Sequence, residues 1–320
     1  MKILVTGGAG FIGSNFVKRQ IAENPLGISK IIVLDKLTYA GNLDNFTQCE
    51  RSEFEFIRGD IRDAPLLQQL LSKVDTVINF AAESHVDRSI SSGSEFVSTN
   101  TLGTQILLEG SVKARIEKFV QVSTDEVYGS IEEGSWNEEF PVQPNSPYAA
   151  SKASADLLVR SYNRTFGLNT NITRCSNNYG PYQFPEKVIP LFITNLIQGK
   201  KIPIYGQGKN IRDWLHVSDH CRGLEAVLRN GKSGEIYNIG GGTEMTNVEL
   251  AQKLLKAFGL DESKIDYVPD RLGHDSRYSV DISKAENEFG YQPKVPFSFG
   301  LEETIKFYRE NPEWWAKITN

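Results

Sequence analysis

Two adjacent carboxylates, Asp125 and Glu126, sit in the run Val122-Ser123-Thr124-Asp125-Glu126-Val127-Tyr128-Gly129. Tyr148-Ala149-Ala150-Ser151-Lys152 follows not far downstream. Tyr148 and Lys152 are four residues apart, so on a helix they share one face. An ammonium beside a phenol favours the phenolate and lowers its pKa from about 10 toward working pH. Tyr148 can then act as general base on a substrate hydroxyl, with Thr124 holding the same hydroxyl. Lys152 can also reach a nicotinamide ribose. A Thr, Tyr and Lys set of this kind moves a hydride with a nicotinamide. The carboxylate pair implies that the site also moves protons that a simple dehydrogenase leaves alone. Neighbouring carboxylates in a closed site push their pKa values apart, leaving one an acid and one a base. The residues alone do not say which is which. In a regular strand, Asp125 would point away from the face shared by Thr124 and Glu126. The chain must therefore leave strand geometry near Thr124 if both carboxylates are to reach one substrate.

A dinucleotide needs a place for its phosphates. Thr6-Gly7-Gly8-Ala9-Gly10-Phe11-Ile12-Gly13 follows a first strand and opens a helix. Gly7 permits the tight turn, Gly10 lets the backbone approach a pyrophosphate, and Gly13 permits close helix–sheet packing. The helix N-terminus adds N–H groups and a positive dipole end. Asp35 ends the second strand, 22 residues beyond Gly13. A carboxylate there accepts hydrogen bonds from ribose hydroxyls and repels a 2′-phosphate, which favours NAD over NADP. Lys36 next to it weakens that preference slightly. Asp60 after the third strand either holds the adenine edge or caps the next helix. Ala81 and Ala82, after the fourth strand, are small enough to let a cofactor lie close. His85 reads as a hydrogen-bonded loop residue, because no second metal ligand sits at a suitable spacing. No metal is expected.

These residues need a scaffold. Ile3 to Val5, Ile31 to Leu34, Phe54 to Ile57, Val77 to Phe80 and Phe119 to Val122 read as buried strands. Helical patterns such as Phe11 to Ala22 and Leu66 to Leu71 lie between them. Alternating strands and helices imply an α/β fold, a doubly wound parallel sheet covered on both faces. Beyond about Arg174 the texture changes to loop-rich segments such as Asn177 to Pro181 and Tyr205 to Gly208. Leu215 to Leu228 and Asn247 to Phe258 look helical. The expected organisation is a Rossmann-type domain over 1–175, to which about 211–240 returns. A smaller mixed α/β C-terminal domain over 176–320 mainly binds substrate. Trp314 and Trp315 read as anchors for the last helix. A net charge of −5 without a basic run argues against nucleic acid. Three unclustered cysteines argue against a disulfide framework and fit a reducing cytoplasm. The N-terminus reads as a strand rather than a signal peptide, and no apolar stretch is long enough to span a bilayer.

Nearly end to end, the chain resembles the extended short-chain dehydrogenase/reductases that act on nucleotide sugars, and among them the 4,6-dehydratases. The resemblance lies in Asp35 to Asn42, Ala81 to Asp87, Ser123 to Gly129 and Arg174 to Pro181. It implies dTDP-glucose as substrate, NAD as cofactor and a homodimer through helices near Thr99 to Gly110 and around Tyr148. Thymine over uracil is not fixed by the residues themselves. The implied cofactor set is Gly7, Gly10, Phe11, Ile12, Gly13, Asp35, Lys36, Leu37, Thr38, Asp60, Ile61, Phe80, Ala81, Ala82, Glu83, Ser84, Thr99, Tyr148, Lys152 and Asn178. The implied substrate set is Ser84, Thr124, Asn177, Lys187, Val188, Pro203, Ile204, Tyr205, Arg212, Asn247, His274, Asp275, Arg277 and Tyr278. Arg212 and Arg277 suit a bidentate pyrophosphate grip. The family role for Glu126 is base at C5 of the hexose, and for Asp125 acid at the 6-hydroxyl, once C4 is a ketone. A 4-epimerase shares Tyr148 and Lys152 but has no use for that carboxylate pair.

Overall fold

The computed structural model describes residues 1–47, 49 and 53–319. Its first half runs β1 (Lys2–Thr6), α1 (Phe11–Ala22), β2 (Lys30–Asp35), β3 (Phe54–Arg58), α2 (Ala64–Leu71) and β4 (Thr76–Asn79). Then come α3 (Val86–Ser91), α4 (Ser94–Phe96), a π-helical turn over Val97–Gly103, α5 (Thr104–Ala114), β5 (Lys118–Thr124), α6 (Pro147–Phe166) and β6 (Thr170–Cys175). The second half contains β7 (Asn177–Tyr179), α7 (Val188–Ile197), β8 (Ile202–Tyr205), β9 (Ile211–His216), α8 (Val217–Asn230), β10 (Ile236–Ile239) and β11 (Glu244–Thr246). It ends with α9 (Asn247–Phe258), β12 (Ile265–Val268), α10 (Ser283–Phe289), α11 (Phe297–Glu310) and α12 (Pro312–Thr319).

Seven strands form one parallel sheet in the order β10-β6-β5-β4-β1-β2-β3. The order reverses between β1 and β4, which opens a crevice at their carboxyl ends. Alternate residues of each strand feed opposite cores. Ile3, Val5, Ile31 and Val33 pack with Phe16, Val17, Leu224 and Val227 from α1 and α8. Leu4, Ile32, Leu34 and Val77 pack with Leu67, Leu71, Leu107 and Leu108 from α2 and α5. Both faces are thus covered, which is why the strands read as unbroken apolar runs.

The remaining strands pair elsewhere, in a three-stranded sheet β11-β9-β7 and a parallel pair β12-β8. Tyr179, Phe192, Trp214, Leu250, Tyr308, Trp314 and Trp315 build their own core with α7, α9, α11 and α12. Here the sequence reading needs correcting. Leu215 and His216 are strand, because they pair with Asn178 and Tyr179 of β7; the helix starts at Val217. Asn177 to Tyr179 are likewise strand rather than loop, held by that pairing and not by their own propensity. Tyr205 closes β8 before Gly206 and Gly208 turn the chain at positive φ.

The last helix reaches back to the first turn. Trp314 Nε1 donates to Asn45 Oδ1 at 2.9 Å, and Asn45 Nδ2 donates to the carbonyl of Ala9 at 2.9 Å. Trp314→Phe keeps the apolar bulk and strands that buried Asn45 oxygen, so it should cost about 1–3 kcal/mol. Urea unfolding measures this, and an unchanged midpoint with an unchanged slope would refute it.

Candidate active site

The glycine turn is built as close packing demands. Gly7 has φ +67°, and a Cβ there would lie 2.5 Å from the Ala81 nitrogen. A Cβ on Gly13 would lie 2.6 Å from the Gly7 carbonyl oxygen. Gly10 is the N-cap of α1 and offers no capping side chain, so the first N–H groups of that helix are left for a ligand. Asp35 Oδ2 accepts from Ala9 N at 2.9 Å and Oδ1 from Leu37 N at 2.8 Å. Asp35 therefore also shapes the turn it was read as serving. Burial raises its pKa, and those two N–H groups oppose the rise.

A single cleft of about 290 Å³ runs from this turn to the carboxylate pair. It is lined by Gly7, Gly10, Phe11, Ile12, Gly13, Asp35, Lys36, Thr38, Asp60, Ile61, Phe80, Ala81, Ala82, Glu83, Ser84, Thr99, Tyr148, Lys152 and Asn178. Leu37, at φ +56°, instead packs toward the core beneath α1. Asp60 does not cap α2; Asp63 does, accepting from Leu66 N at 3.0 Å. Asp60 pairs with Arg62 at 2.7 Å and Lys36 at 3.1 Å. Burial works against its charge, but hydrogen bonds from Arg62 and Lys36 prevail and hold its pKa low. His85 caps α3, and burial depresses its pKa to about 4. The amide of Asn178 is committed to Ser176 O and His220 Nδ1.

Sequence reasoning missed several cleft residues. Gly41, Ser123, Cys175, Ser176, Gln183 and Phe184 also line it. Gly41 carried a readable signal, since a Cβ there would meet Asp35 Oδ1 at 2.8 Å. Asn100 had none. It clamps the loop after β4 by bonding both the N–H and the carbonyl of Glu83, from inside a π-helical turn that no sequence period announces.

At the other end of the cleft, β5 stops at Thr124 and the chain winds into a 3₁₀ turn over Asp125–Tyr128. The Thr124 hydroxyl caps that turn, accepting from Glu126 N at 3.3 Å. This is the departure from strand geometry that the two carboxylates require. Tyr148 and Lys152 enter on α6, which Ser146 caps and Pro147 starts. Lys152 donates to the carbonyl of Val122 at 2.7 Å. The expected lowering of the Tyr148 pKa by Lys152 is not what this arrangement gives. Burial and then the Glu126 charge push the phenol well up, and the Thr124 hydrogen bond opposes this only in part. Burial also lowers the Lys152 pKa.

The two carboxylates differ in their surroundings. Burial first, then the charges of Glu126 and Asp213, raise Asp125 well above the carboxylate range. Its Oδ2 is buried without a hydrogen-bond partner. Glu126 is also raised by burial, but Arg271, Lys187 and Arg212 all pull it back. Such a pair can hold a proton on Asp125 while Glu126 accepts one. Arg271, the first of those cations, opens the stretch Arg271 to Tyr278, which resembles the family's nucleotide-sugar-binding part, although only His274, Asp275, Arg277 and Tyr278 of it were expected at the site.

Of the substrate set, Ser84, Thr124, Asn177 and Lys187 line the cleft, and Lys187 donates to Ser84 O at 2.7 Å. A second group lies around Arg212, which stacks over Tyr278 at 4.1 Å and donates to Asp275 O. Tyr278 in turn donates to Asp275 Oδ2. His274 pairs with Asp270, and the Tyr205 ring meets His274 edge-on. Arg277 is not free for a pyrophosphate: its fork holds Glu244 at 2.7 and 2.8 Å. Ile204 is buried in the second core, with Val188 packed against it. Asn247 starts α9, and Pro203 pairs with Asp266 in the β8–β12 ladder. Among the described residues no cluster of His, Cys, Asp and Glu could hold a metal, and no helix is long and apolar enough to cross a membrane.

A glycine-turn cleft ending in a Thr, Tyr, Lys and carboxylate set suits nicotinamide-dependent chemistry that also moves protons. The chain belongs to the GDP-mannose 4,6 dehydratase family, whose model matches residues 4–304. It is 55% identical to a dTDP-glucose 4,6-dehydratase of an Actinoplanes species, over 99% of this chain and 100% of that one. DesIV, a dTDP-glucose 4,6-dehydratase of Streptomyces venezuelae solved with NAD and TYD bound, superposes with a TM-score of 0.98. It shares 55% identity, covering 99% of this chain and 100% of DesIV. The dTDP-glucose 4,6-dehydratase of Bacillus anthracis, in complex with NAD, superposes with a TM-score of 0.92 at 48% identity, over 99% of each chain.

The Asp125 carboxyl is raised well above the usual range in the folded site, whereas in the unfolded chain it ionises above about pH 3.9. A carboxyl whose folded pKa is raised destabilises the fold above its unfolded pKa, and the cost disappears below it. Asp125→Asn should therefore stabilise the protein at neutral pH, by about 1.4 kcal/mol for each pKa unit of elevation. The gain should fade on acidification through about pH 4. Denaturant midpoints across that range test this; a variant less stable than wild type at neutral pH would count against it.

Proposed function

We infer that this chain converts dTDP-glucose to dTDP-4-keto-6-deoxyglucose and water, with NAD as its resident cofactor. The observation that carries the reading is the unequal carboxylate pair beside Thr124, Tyr148 and Lys152 at the end of a dinucleotide-shaped cleft. Relatives with that named activity match over essentially the whole chain. NAD fits the residues present: the Gly7 and Gly13 cradle leaves no room for side chains, and the α1 N-terminus is uncapped. Asp35 would take the adenosine ribose and the Ala81 strand end would bound the nicotinamide side. When bound, NAD supplies the two-electron chemistry, accepting a hydride from C4 and returning it at C6.

The protein handles the protons. Tyr148 takes the proton from O4 while Thr124 orients that hydroxyl; the cationic nicotinamide of bound NAD would oppose the burial and the Glu126 charge that otherwise raise the phenol. The ketone acidifies C5, and Glu126 removes the C5 proton. Asp125, held protonated by its burial, gives a proton to the departing 6-hydroxyl, so water leaves. Glu126 gives the proton it took back to C5, and the O4 proton left on Tyr148 replaces, through solvent, the one Asp125 spent. Arg271, Lys187 and Arg212 oppose the rise that burial imposes on Glu126 and so favour its basic form. In this reading residues 1–175, with 211–240, hold the cofactor, and 176–320 mainly hold the nucleotide sugar. Incubating the purified protein with dTDP-glucose and no added cofactor should yield the 4-keto product, lighter by one water. Absence of product would overturn the reading, and a 4-epimer with no water lost would replace it with an epimerase. Asp125→Asn should still reduce the bound NAD while blocking water loss; equal failure at C4 would remove Asp125 from its role.

A cytoplasmic homodimer accompanies this reading. Val97 and Leu102 on the π-helical turn and Leu157 on α6 are each about half exposed, at 56%, 49% and 52%. These two elements pack on each other, so the three side chains can form one apolar face. Leu157→Glu should convert a dimer to a monomer in light scattering. A wild-type monomer, or a variant that still dimerises, would show that this face is not the contact.

A further inference from the structure

Tyr148, Lys152 and Asp156 are spaced i, i+4, i+8 on α6 and so form one stripe along the helix. Lys152 lies in the cleft, whereas Asp156 is buried below it. Asp156 Oδ2 accepts from Arg174 Nε at 3.0 Å, and both side chains are almost fully buried, at 1% and 3% exposure. Arg174 also lies over the Tyr128 ring at 4.6 Å. Tyr128 is the last residue of the 3₁₀ turn that begins with Asp125 and Glu126. Its own hydroxyl is tied to Asn238 Oδ1 at 2.9 Å, and its ring stacks on Trp136. Arg174 stands on β6 opposite Ser123 of β5 on one side and Asn238 of β10 on the other. Arg174 does not line the cleft.

We propose that Arg174 is a positioning residue that fixes the helix carrying Tyr148 and Lys152 against the turn carrying Asp125 and Glu126. One guanidinium makes both contacts. Its edge meets the carboxylate at the buried end of the α6 stripe, and its face meets the aromatic ring that closes the acid–base turn. A planar, permanently charged fork gives each contact its own atoms, an edge for the carboxylate and a flat face for the ring; a compact ammonium has no flat face to stack. The consequence is specific to a reaction in two halves. Oxidation uses α6, and elimination uses the turn. The same sugar must be in register with both. Loosening Arg174 leaves each half assembled but lets the turn drift from the sugar that Tyr148 holds. Misalignment of about 1 Å costs on the order of 100-fold in rate.

This rests on the dehydratase reading, and the experiment separates the two. Removing one partner of a buried ion pair is strongly destabilising, whereas replacing both with apolar residues is often tolerated. The test is therefore the double variant Arg174→Met with Asp156→Leu, compared with wild type on dTDP-glucose. Its fold is checked by thermal unfolding and by NAD retained through purification. The expected result is a folded protein with kcat reduced on the order of 100-fold and KM little changed. Reduced cofactor should accumulate during turnover, because elimination lags oxidation. A folded double variant with wild-type kcat and no accumulation would overturn the proposal and leave the pair a purely structural tie. Should the double variant not fold, Arg174→Lys decides in the same way. It keeps the charge opposite Asp156 and loses the stack on Tyr128, so the same accumulation is expected, and a wild-type time course refutes it. If wild type itself releases no 4-keto product, the dehydratase reading falls and the proposal falls with it.

Discussion

Placing two carboxylates side by side out of water is the constraint around which this chain is arranged. Desolvating one charged carboxylate costs several kcal/mol unless it is paired, and a like charge next door adds to the cost. The structure resolves this by treating the two unequally. Asp125 faces burial, Glu126 and Asp213, which all favour its protonated form. Glu126 is met by Arg271, Lys187 and Arg212, which come from three separate stretches of the second half of the chain. The segments beyond the large sheet are thus part of the acid–base apparatus as well as a platform for substrate. Glu126 depends on their folding for its charge.

The backbone obeys the same demand. A strand that continued past Thr124 would send one carboxylate to each face of the sheet. The chain ends β5 there and spends the Thr124 side chain on a cap, with Glu126 N as donor. That hydroxyl also faces the Tyr148 phenol, where it favours the charged form. One small side chain therefore links the turn, the carboxylates and the helix that brings the phenol. The glycine turn at the other end of the cleft is held in a comparable way from a distance, through Asn45 and Trp314 of the last helix.

The fold was legible where one segment carries its own signal. Apolar runs gave the strands, the Gly7 to Gly13 spacing gave the phosphate turn, and Tyr148 and Lys152 gave one helix face. It was not legible where pairing decides. Asn177 to Tyr179 are strand because β9 lies beside them, and Leu215 and His216 follow from the same ladder. The site shows the same division. Residue types announced Thr124, Asp125, Glu126, Tyr148 and Lys152. Arg277 looked like a phosphate ligand, but Glu244 occupies its fork, a partner 33 positions away that no local pattern reveals. Arg271 was legible only as the start of a substrate-binding stretch, yet it heads the charges opposing the rise of Glu126. The assumed action of Lys152 on Tyr148 failed for a related reason: four residues of spacing fixes a shared face, not a shared contact.

That distinction explains how α6 is used. Along its stripe exposure falls from cleft to core, and each residue is matched to its depth. Tyr148 meets the cleft and keeps its phenol for chemistry. Lys152, one turn deeper, is tied to the Val122 carbonyl, which fixes its ammonium at the end of β5. Asp156, deeper again, would be an unpaired buried charge without Arg174. The functional end of the helix can therefore be polar and loosely satisfied because its buried end is anchored by an ion pair. A helix held only by apolar contacts could rotate or slide by a fraction of a turn at small cost, since such contacts are non-directional. A charge-assisted hydrogen bond at a fixed azimuth does not allow that. The ion pair at the dry end of the stripe is what sets the angle at which the tyrosine enters the site.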